Sequence, residues 1–235
     1  MQFDPHLIPA TLLRRYKRFL ADVILPDGRE VTVHCANPGK MIGVSTPGAR
    51  IWLQPATNPK RKLQWSWLLT ELEGGHLAGI DTSVPNRIVA EALAARAMAE
   101  FADWPEVVPE VKYGTGSRID FLLRGAGRPD LYLEVKNVHL QRDGTLAEFP
   151  DSVTARGTKH LHELAEVVAA GHMAAMLYVV QRTDCDAVGF AEDYDPAYCA
   201  ATRMAREAGV TFLARATRIS VERITLDRAL PVIPA

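Results

Sequence analysis

At 235 residues, with 48% hydrophobic and 23% charged side chains, the chain has the composition of one large globular domain or two small ones and enough apolar material for a sizeable core. A net charge of −1 points to no partner class, and three cysteines without a C-x-x-C pair argue against a disulfide framework or a thiolate zinc site and fit a reducing cytoplasm. The opening "MQFDPHLIPATLL" lacks the basic start and long apolar run of a secretory leader, and "LAEVVAAGHMAAMLYVV" is broken by Glu166, Gly171 and His172, so no membrane span is expected.

Residues 1–82 read as all-β. Two β-rich runs in "RFLADVILPDGREVTVHC" flank Pro26-Asp27-Gly28, a hairpin signal. "ARIWLQP", "LQWSWLLTELE" and, after Gly74-Gly75, "HLAGI" make three more. Five short strands and no long helix suggest a small OB-like barrel. Between the second and third lies "ANPGKMIGVSTPG", a glycine- and proline-rich loop.

From residue 83 to 235 the pattern changes. "TSVPNRIVAEALAARAMAEF" reads as a helix with Thr82 or Ser83 as cap and a stripe of Ile88, Ala92, Ala95 and Ala99. Three strands follow, "EVVPEVKY", "SRIDFLLR" and "LYLEVKNVHL", then a helix from about Gly157 to Ala170. "MAAMLYVV" is apolar on both faces and should be a central strand, parallel to its neighbour across a β-α-β crossover. A helix capped by Asp195 and two closing strands complete the chain. Charge divides with the modules: ten Lys and Arg against seven Asp and Glu before residue 83, 17 against 21 after it. That suits an anion-binding module ahead of a metal-binding one, although so small an offset also arises by chance.

"LYLEVKNVHL" carries the chemistry. Glu134 and Lys136 share one strand face, opposite Leu131, Leu133 and Val135. A carboxylate in such a segment needs a partner, and Lys136 can be that partner in a plain salt bridge. Asp120, in the preceding strand, can lie beside Glu134 if the two strands pair through the Gly125–Asp130 turn. Two facing carboxylates repel unless a cation sits between them, and a hard divalent ion such as Mg²⁺ is the default. The Val135 carbonyl and Glu91 on the preceding helix can complete such a site. Lys136 beside it could orient an attacking water and stabilise charge on a phosphoryl group.

"RIDF" followed by "LEVKNVHL" resembles the PD-(D/E)xK nuclease superfamily. "HCANPGKMIG", "LEVKNVHL", "FPDSVTARGTKHLHEL" and "LYVVQR", in that order, are similar to the sugar fermentation stimulation protein family. The resemblance implies a two-domain α+β protein: an OB-like barrel over residues 1–82 and a restriction-endonuclease-like αβββαβ domain over 83–235. It implies DNA binding, with Asp120 and Glu134 as Mg²⁺ or Mn²⁺ ligands and Lys136 as the catalytic lysine. Glu91 resembles the helix glutamate and Gln181 the glutamine found in part of the superfamily. In those relatives a tyrosine follows four residues after the glutamine, where this chain has Cys185, and the usual proline before the first acid is here Ile119. Two functions remain open: hydrolysis of DNA phosphodiester bonds, or DNA binding without cleavage by a regulator of sugar-utilisation genes. Many superfamily members pair, so a homodimer is a further implication.

The candidate DNA contacts are basic. Arg14, Arg15, Lys17 and Arg18 interleave with Tyr16 and Phe19, and Lys60, Arg61 and Lys62 precede Trp65 and Trp67, the mixture that single-stranded nucleic-acid grooves use. At least one of the two tryptophans should instead fill the barrel. Lys40 in "NPGKM" could meet a phosphate, but the loop lacks the P-loop pattern. Arg118, Arg156, Lys159 and His160 complete the set; the last three sit at a helix start, which is either an anion site or a solvated face.

Overall fold

Three antiparallel strands open the chain: β1 (Ile8–Tyr16), β2 (Leu20–Ile24) and β3 (Glu30–Cys35). Gly28, at φ +85°, supplies the left-handed residue for the turn between β2 and β3. β4 (Arg50–Pro55) pairs with β1, and β5 (Trp65–Glu71) pairs with β4. β5 then meets β3 in parallel, His34 opposite Ser66 and Cys35 opposite Trp67, which closes a five-stranded barrel. Leu12, Val23, Val33, Ile51, Leu53 and Trp67 fill it. Trp67 is fully buried and its indole N–H donates to the Leu69 carbonyl at 3.0 Å, whereas Trp65 is half-buried.

The barrel forms as expected, but from a different set of five strands. β1 was not anticipated, and "HLAGI" forms only the short β6 (Leu77–Gly79), which pairs with β5 outside the ring. Computed as a structural model, the structure describes residues 1–235.

The second module follows the order helix, three strands, helix, strand: α1 (Val84–Ala94), β7 (Glu106–Tyr113), β8 (Ser117–Arg124), β9 (Leu131–Val138), α2 (Ala155–Ala169), β12 (Met173–Val180). Between β9 and α2 lie β10 (Leu140–Gln141) and β11 (Leu146–Phe149). With β13 (Ala187–Phe190) they make a small sheet the sequence did not announce. α3 (Pro196–Glu207), β14 (Thr211–Ile219) and β15 (Ile224–Leu230) complete the fold. The main sheet runs β15-β14-β12-β9-β8-β7, with β12 parallel to both β9 and β14. α1 covers one face, over Leu133, Leu177 and Val179; α2 and α3 cover the other, over Met176, Tyr178 and Val180. α1 is shorter than its alanine-rich sequence suggests. It ends at Ala94, Arg96 takes φ +52°, and Ala95 and Ala99 are exposed; the buried stripe is Val84, Ile88, Val89, Ala92 and Leu93.

The modules are joined by apolar contact. Leu68 and Leu69, on the last barrel strand, belong to the same buried cluster as Ile88, Leu93 and Leu133, which fixes the barrel against the α1 side of the sheet. The three cysteines are free and buried, and no helix is long and apolar enough to cross a membrane.

Candidate functional site

The ladder between β8 and β9 pairs Leu123 with Leu131, Leu122 with Tyr132 and Phe121 with Leu133, then stops. The next residues on each strand are Asp120 and Glu134, and both line one cleft. The Val135 amide, released from the ladder, donates to Asp120 Oδ2 at 2.7 Å. The Asn86 amide on α1 donates to Asp120 Oδ1 at 2.7 Å. Burial and the neighbouring Glu134 charge push the Asp120 carboxyl up to about 6, against the opposing pull of Val135, Lys136 and Asn86.

Glu134 is 3% exposed. Its Oε1 accepts from Lys136 Nζ at 2.7 Å and contacts His160 Nδ1, a buried side chain of α2. Burial pushes this carboxyl up, but Lys136 and His160 outweigh it and leave it below the ordinary carboxylate value. Glu134 Oε2 is buried with no hydrogen-bond partner. An ionised carboxylate rarely leaves an oxygen bare in such a place, because the lost hydration is not recovered. Arg156 Nε reaches His160 Nε2 at 3.3 Å, so one chain of contacts runs from the first turn of α2 to the acid pair.

The cleft holds about 470 Å³ and lies between the two modules. The barrel contributes Arg18, Asn37, Pro38 and Gly39; the sheet contributes Asp120, Glu134, Val135, Lys136 and Asn137; the loop into α2 contributes Asp151 and Thr154, and the first turn of α2 contributes Arg156. A side chain on Gly39 would place its Cβ 2.3 Å from Asp151 Oδ2, so any larger residue here would push the Asp151 carboxylate aside. Asp151 Oδ2 accepts from the Met41 amide at 3.1 Å and lies 3.4 Å from His139 Nε2. A second cavity, of about 570 Å³, opens along the first turn of α2 and is lined by Arg118, Arg156, Lys159 and His160.

The structure moves several residues away from their expected places. Glu91 does not reach the acid pair: it pairs with the terminal amine of Met1 at 2.5 Å and borders a separate cavity with Arg215, because α1 presents its first turns, not its middle, to the cleft. From α1 it is Asn86 that reaches Asp120. Gln181 is fully buried at the seam between modules, its amide donating to Asn137 Oδ1 at 2.7 Å and to the Asp81 carbonyl at 3.2 Å; of these three residues Asn137 alone lines the cleft.

Among the basic candidates, Arg14 is bound to Asp22 and Arg15 donates to the carbonyls of Arg18 and Asn37, and neither lines the cleft. Lys40 sits 4.9 Å above the Tyr194 ring, and Lys60, Arg61 and Lys62 belong to the loop between β4 and β5; none of the four lines the cleft. Lys17 is exposed next to Arg18 in the β1–β2 turn. Lys159 Nζ is 2.7 Å from the Thr115 carbonyl and 3.5 Å from Glu163. The sequence reading missed Asn86, Asn137, His139 and Asp151. Asp151 had one signal, its place in "FPDSVTARG" between a strand and a basic helix start.

The model of the SfsA N-terminal OB domain matches residues 13–80, and that of the sugar fermentation stimulation protein RE domain matches residues 83–223. The chain belongs to the sugar fermentation stimulation protein family. Homologs named for it in Dinoroseobacter shibae and Ruegeria sp. (strain TM1040) are each 57% identical, over 100% and 98% of this chain and 97% and 100% of their own. A structure of Pyrococcus furiosus SfsA in complex with Ca²⁺ matches 99% of this chain and 98% of its own at a TM-score of 0.89 and 24% identity, so the family fold extends over both modules.

Proposed function

We propose that this family member binds DNA in the cleft between its modules and hydrolyses a phosphodiester bond there with the help of Mg²⁺ or Mn²⁺. The bare, buried Oε2 of Glu134, a residue that lines the cleft with Asp120 and Lys136, carries the reading. The donor set fits a hard cation: two carboxylates, one of them raised by burial and by repulsion from the other, with the Val135 backbone on the cleft wall. The Pyrococcus furiosus protein, which shares the fold, was captured with Ca²⁺, a cation of the same chemical class. Asp120, Glu134 and the Val135 carbonyl would hold the ion, which would supply charge neutralisation at the phosphoryl oxygens.

The chain's own groups do the rest. Asn86 and the Val135 amide fix the Asp120 carboxylate, and His160 fixes Glu134. Lys136, 14% exposed, is close enough to the acid pair to orient a water and steady the charge that grows as one P–O ester bond gives way to phosphomonoester and alcohol. Arg156 and the cavity beyond it, with Arg118 and Lys159, continue a positive path for a strand leaving the acids. The enclosure of the acids between two modules favours one strand over a duplex.

A second reading, DNA binding without cleavage, is favoured by one observation. No group of three or more His, Cys, Asp or Glu side chains is arranged to hold a metal ion, and α1 offers Asn86, an amide, to Asp120.

Cleavage assays on single- and double-stranded DNA with and without divalent ions separate the two. Lys136→Ala should abolish cleavage, a loss of 10²-fold or more on the order of a missing charge-stabilising donor, while DNA affinity changes less than about threefold. Wild type that binds DNA steeply weakened by salt, yet cuts no form with any divalent ion, establishes the second reading.

A further inference from the structure

The turn between β1 and β2 is built against its own backbone preference. Tyr16 pairs with Leu20, leaving Lys17, Arg18 and Phe19 to reverse the chain. Lys17 has φ +47° and Arg18 φ +64°. Phe19 N–H donates to the Lys17 carbonyl at 2.7 Å, so Arg18 is the centre of a three-residue turn with positive φ, the rarer and more strained form. Glycine or asparagine would serve such a turn without strain, and two adjacent long basic residues are the opposite choice.

The surroundings hold this strained tip in place. Arg15 Nη2 donates to the Arg18 carbonyl at 2.8 Å and to the Asn37 carbonyl at 2.6 Å. The Cys35 amide donates to the Phe19 carbonyl at 2.9 Å, and the Asn37 side chain donates to the Ile80 carbonyl at 3.0 Å. The tip is thereby locked to the N-P-G loop and to the junction between modules. What the lock presents is a cation and a ring. Arg18 lines the cleft that holds Asp120, Glu134 and Lys136, and its guanidinium makes no hydrogen bond or ion pair within the chain. Phe19 follows with 45% of its surface exposed, among the few large apolar side chains left open to solvent.

Strain maintained at a surface turn marks a functional demand, and an unpaired cation next to an open ring is the pairing that grips single strands: the charge takes a phosphate and the ring stacks a base. We infer that the Lys17-Arg18-Phe19 tip is the strand clamp of the cleft, with Arg18 holding a backbone phosphate of single-stranded DNA beside the acid pair and Phe19 stacking the base just outside. This rests on the reading of the cleft as a DNA site. The clamp comes from the barrel and the acids from the sheet, so the barrel places the strand and the second module acts on it.

The test is binding of a fluorescent single-stranded oligonucleotide, and of one carrying 2-aminopurine, to the full chain with Lys136→Ala added in every protein to prevent turnover. Phe19→Ala should weaken binding about tenfold and abolish the 2-aminopurine quenching, while Phe19→Trp restores both. Arg18→Gly should raise the melting temperature, because glycine removes the strain, yet lower affinity about tenfold and reduce the salt slope by about one. A purely structural turn predicts the melting change without the binding change. Unchanged affinity and quenching in both Phe19→Ala and Arg18→Gly, with the parent protein binding normally, overturns the clamp alone. If the parent binds no oligonucleotide, single- or double-stranded, the DNA reading of the cleft and the clamp fall together.

Discussion

Asp120 is a carboxyl group that folding pushes upward, where its neighbours Glu134 and Asp151 are held down. Its folded carboxyl sits near 6, against an ordinary value of 3.8, because of burial and the Glu134 charge. A group whose folded value is raised binds its proton better in the folded state, so the contribution of Asp120 to stability is greatest below pH 4 and is lost as pH rises from about 4 to 6. Above that window the ionised acid remains a liability. Asp120→Asn should therefore stabilise the chelator-treated protein at pH 8 by about 1 kcal/mol, a rise in Tm of about 2–4 °C, and flatten the decline between pH 4 and 6. Scanning fluorimetry with and without Mg²⁺ checks both parts: added ion should lift wild type and leave the variant unmoved. Asp120, Glu134 and Lys136 were legible because polar residues interrupt apolar strands with the right alternation. Asn86 was not legible, since a neutral amide on a helix gives no signal, and Glu91 was misplaced because helical periodicity tells which face is buried but not which turn abuts the sheet.

At the scale of elements, the second module was readable from runs of apolar residues with clear period and punctuation. β1 was not. Pro9 lies inside it, Arg14 and Arg15 fall in its last three residues, and its register with β2 shifts between Leu12 and Arg14, so alternation is lost where the sequence would need to show it. The start of α2 is another case in which local chemistry is decisive. Thr154 accepts from the Gly157 amide at 3.1 Å, the bond that fixes the first turn carrying Arg156 and His160. Thr154→Ala should cost about 1 kcal/mol, lowering Tm by about 2–4 °C, and Thr154→Ser should recover most of it. Because the same turn aims His160 at Glu134, the alanine variant should also weaken DNA binding in the assay above, whereas the loss of an ordinary surface cap would not.

The cleft itself belongs to neither module, and long-range contact between them was the part of the design invisible in sequence. Two glycines let the barrel come close: Gly39 against Asp151, and Gly79, whose amide donates to the Gln181 carbonyl at 2.8 Å. Asp151 is the most informative member of this seam. Burial pushes its carboxyl up, but His139, the Met41 amide and Ser152 outweigh burial and hold it at about 2, below the usual 3.8. A depressed value means the ionised form stabilises the fold; that contribution is complete above about pH 4 and disappears as pH falls toward 2. Asp151→Asn should accordingly lower the stability at pH 7 by about 2 kcal/mol, and the gap between the two proteins should close as pH is brought from 4 toward 2. Urea midpoints at pH 7, 5, 4 and 3 follow the gap. A local readout separates a latch between modules from a general weakening. The Met41 amide donates to this carboxylate across the seam, so its hydrogen exchange should accelerate in Asp151→Asn while amides in the centre of β12 stay protected. Equal acceleration at both places would mean that Asp151 supports the whole fold and does not hold the barrel loop over the acids.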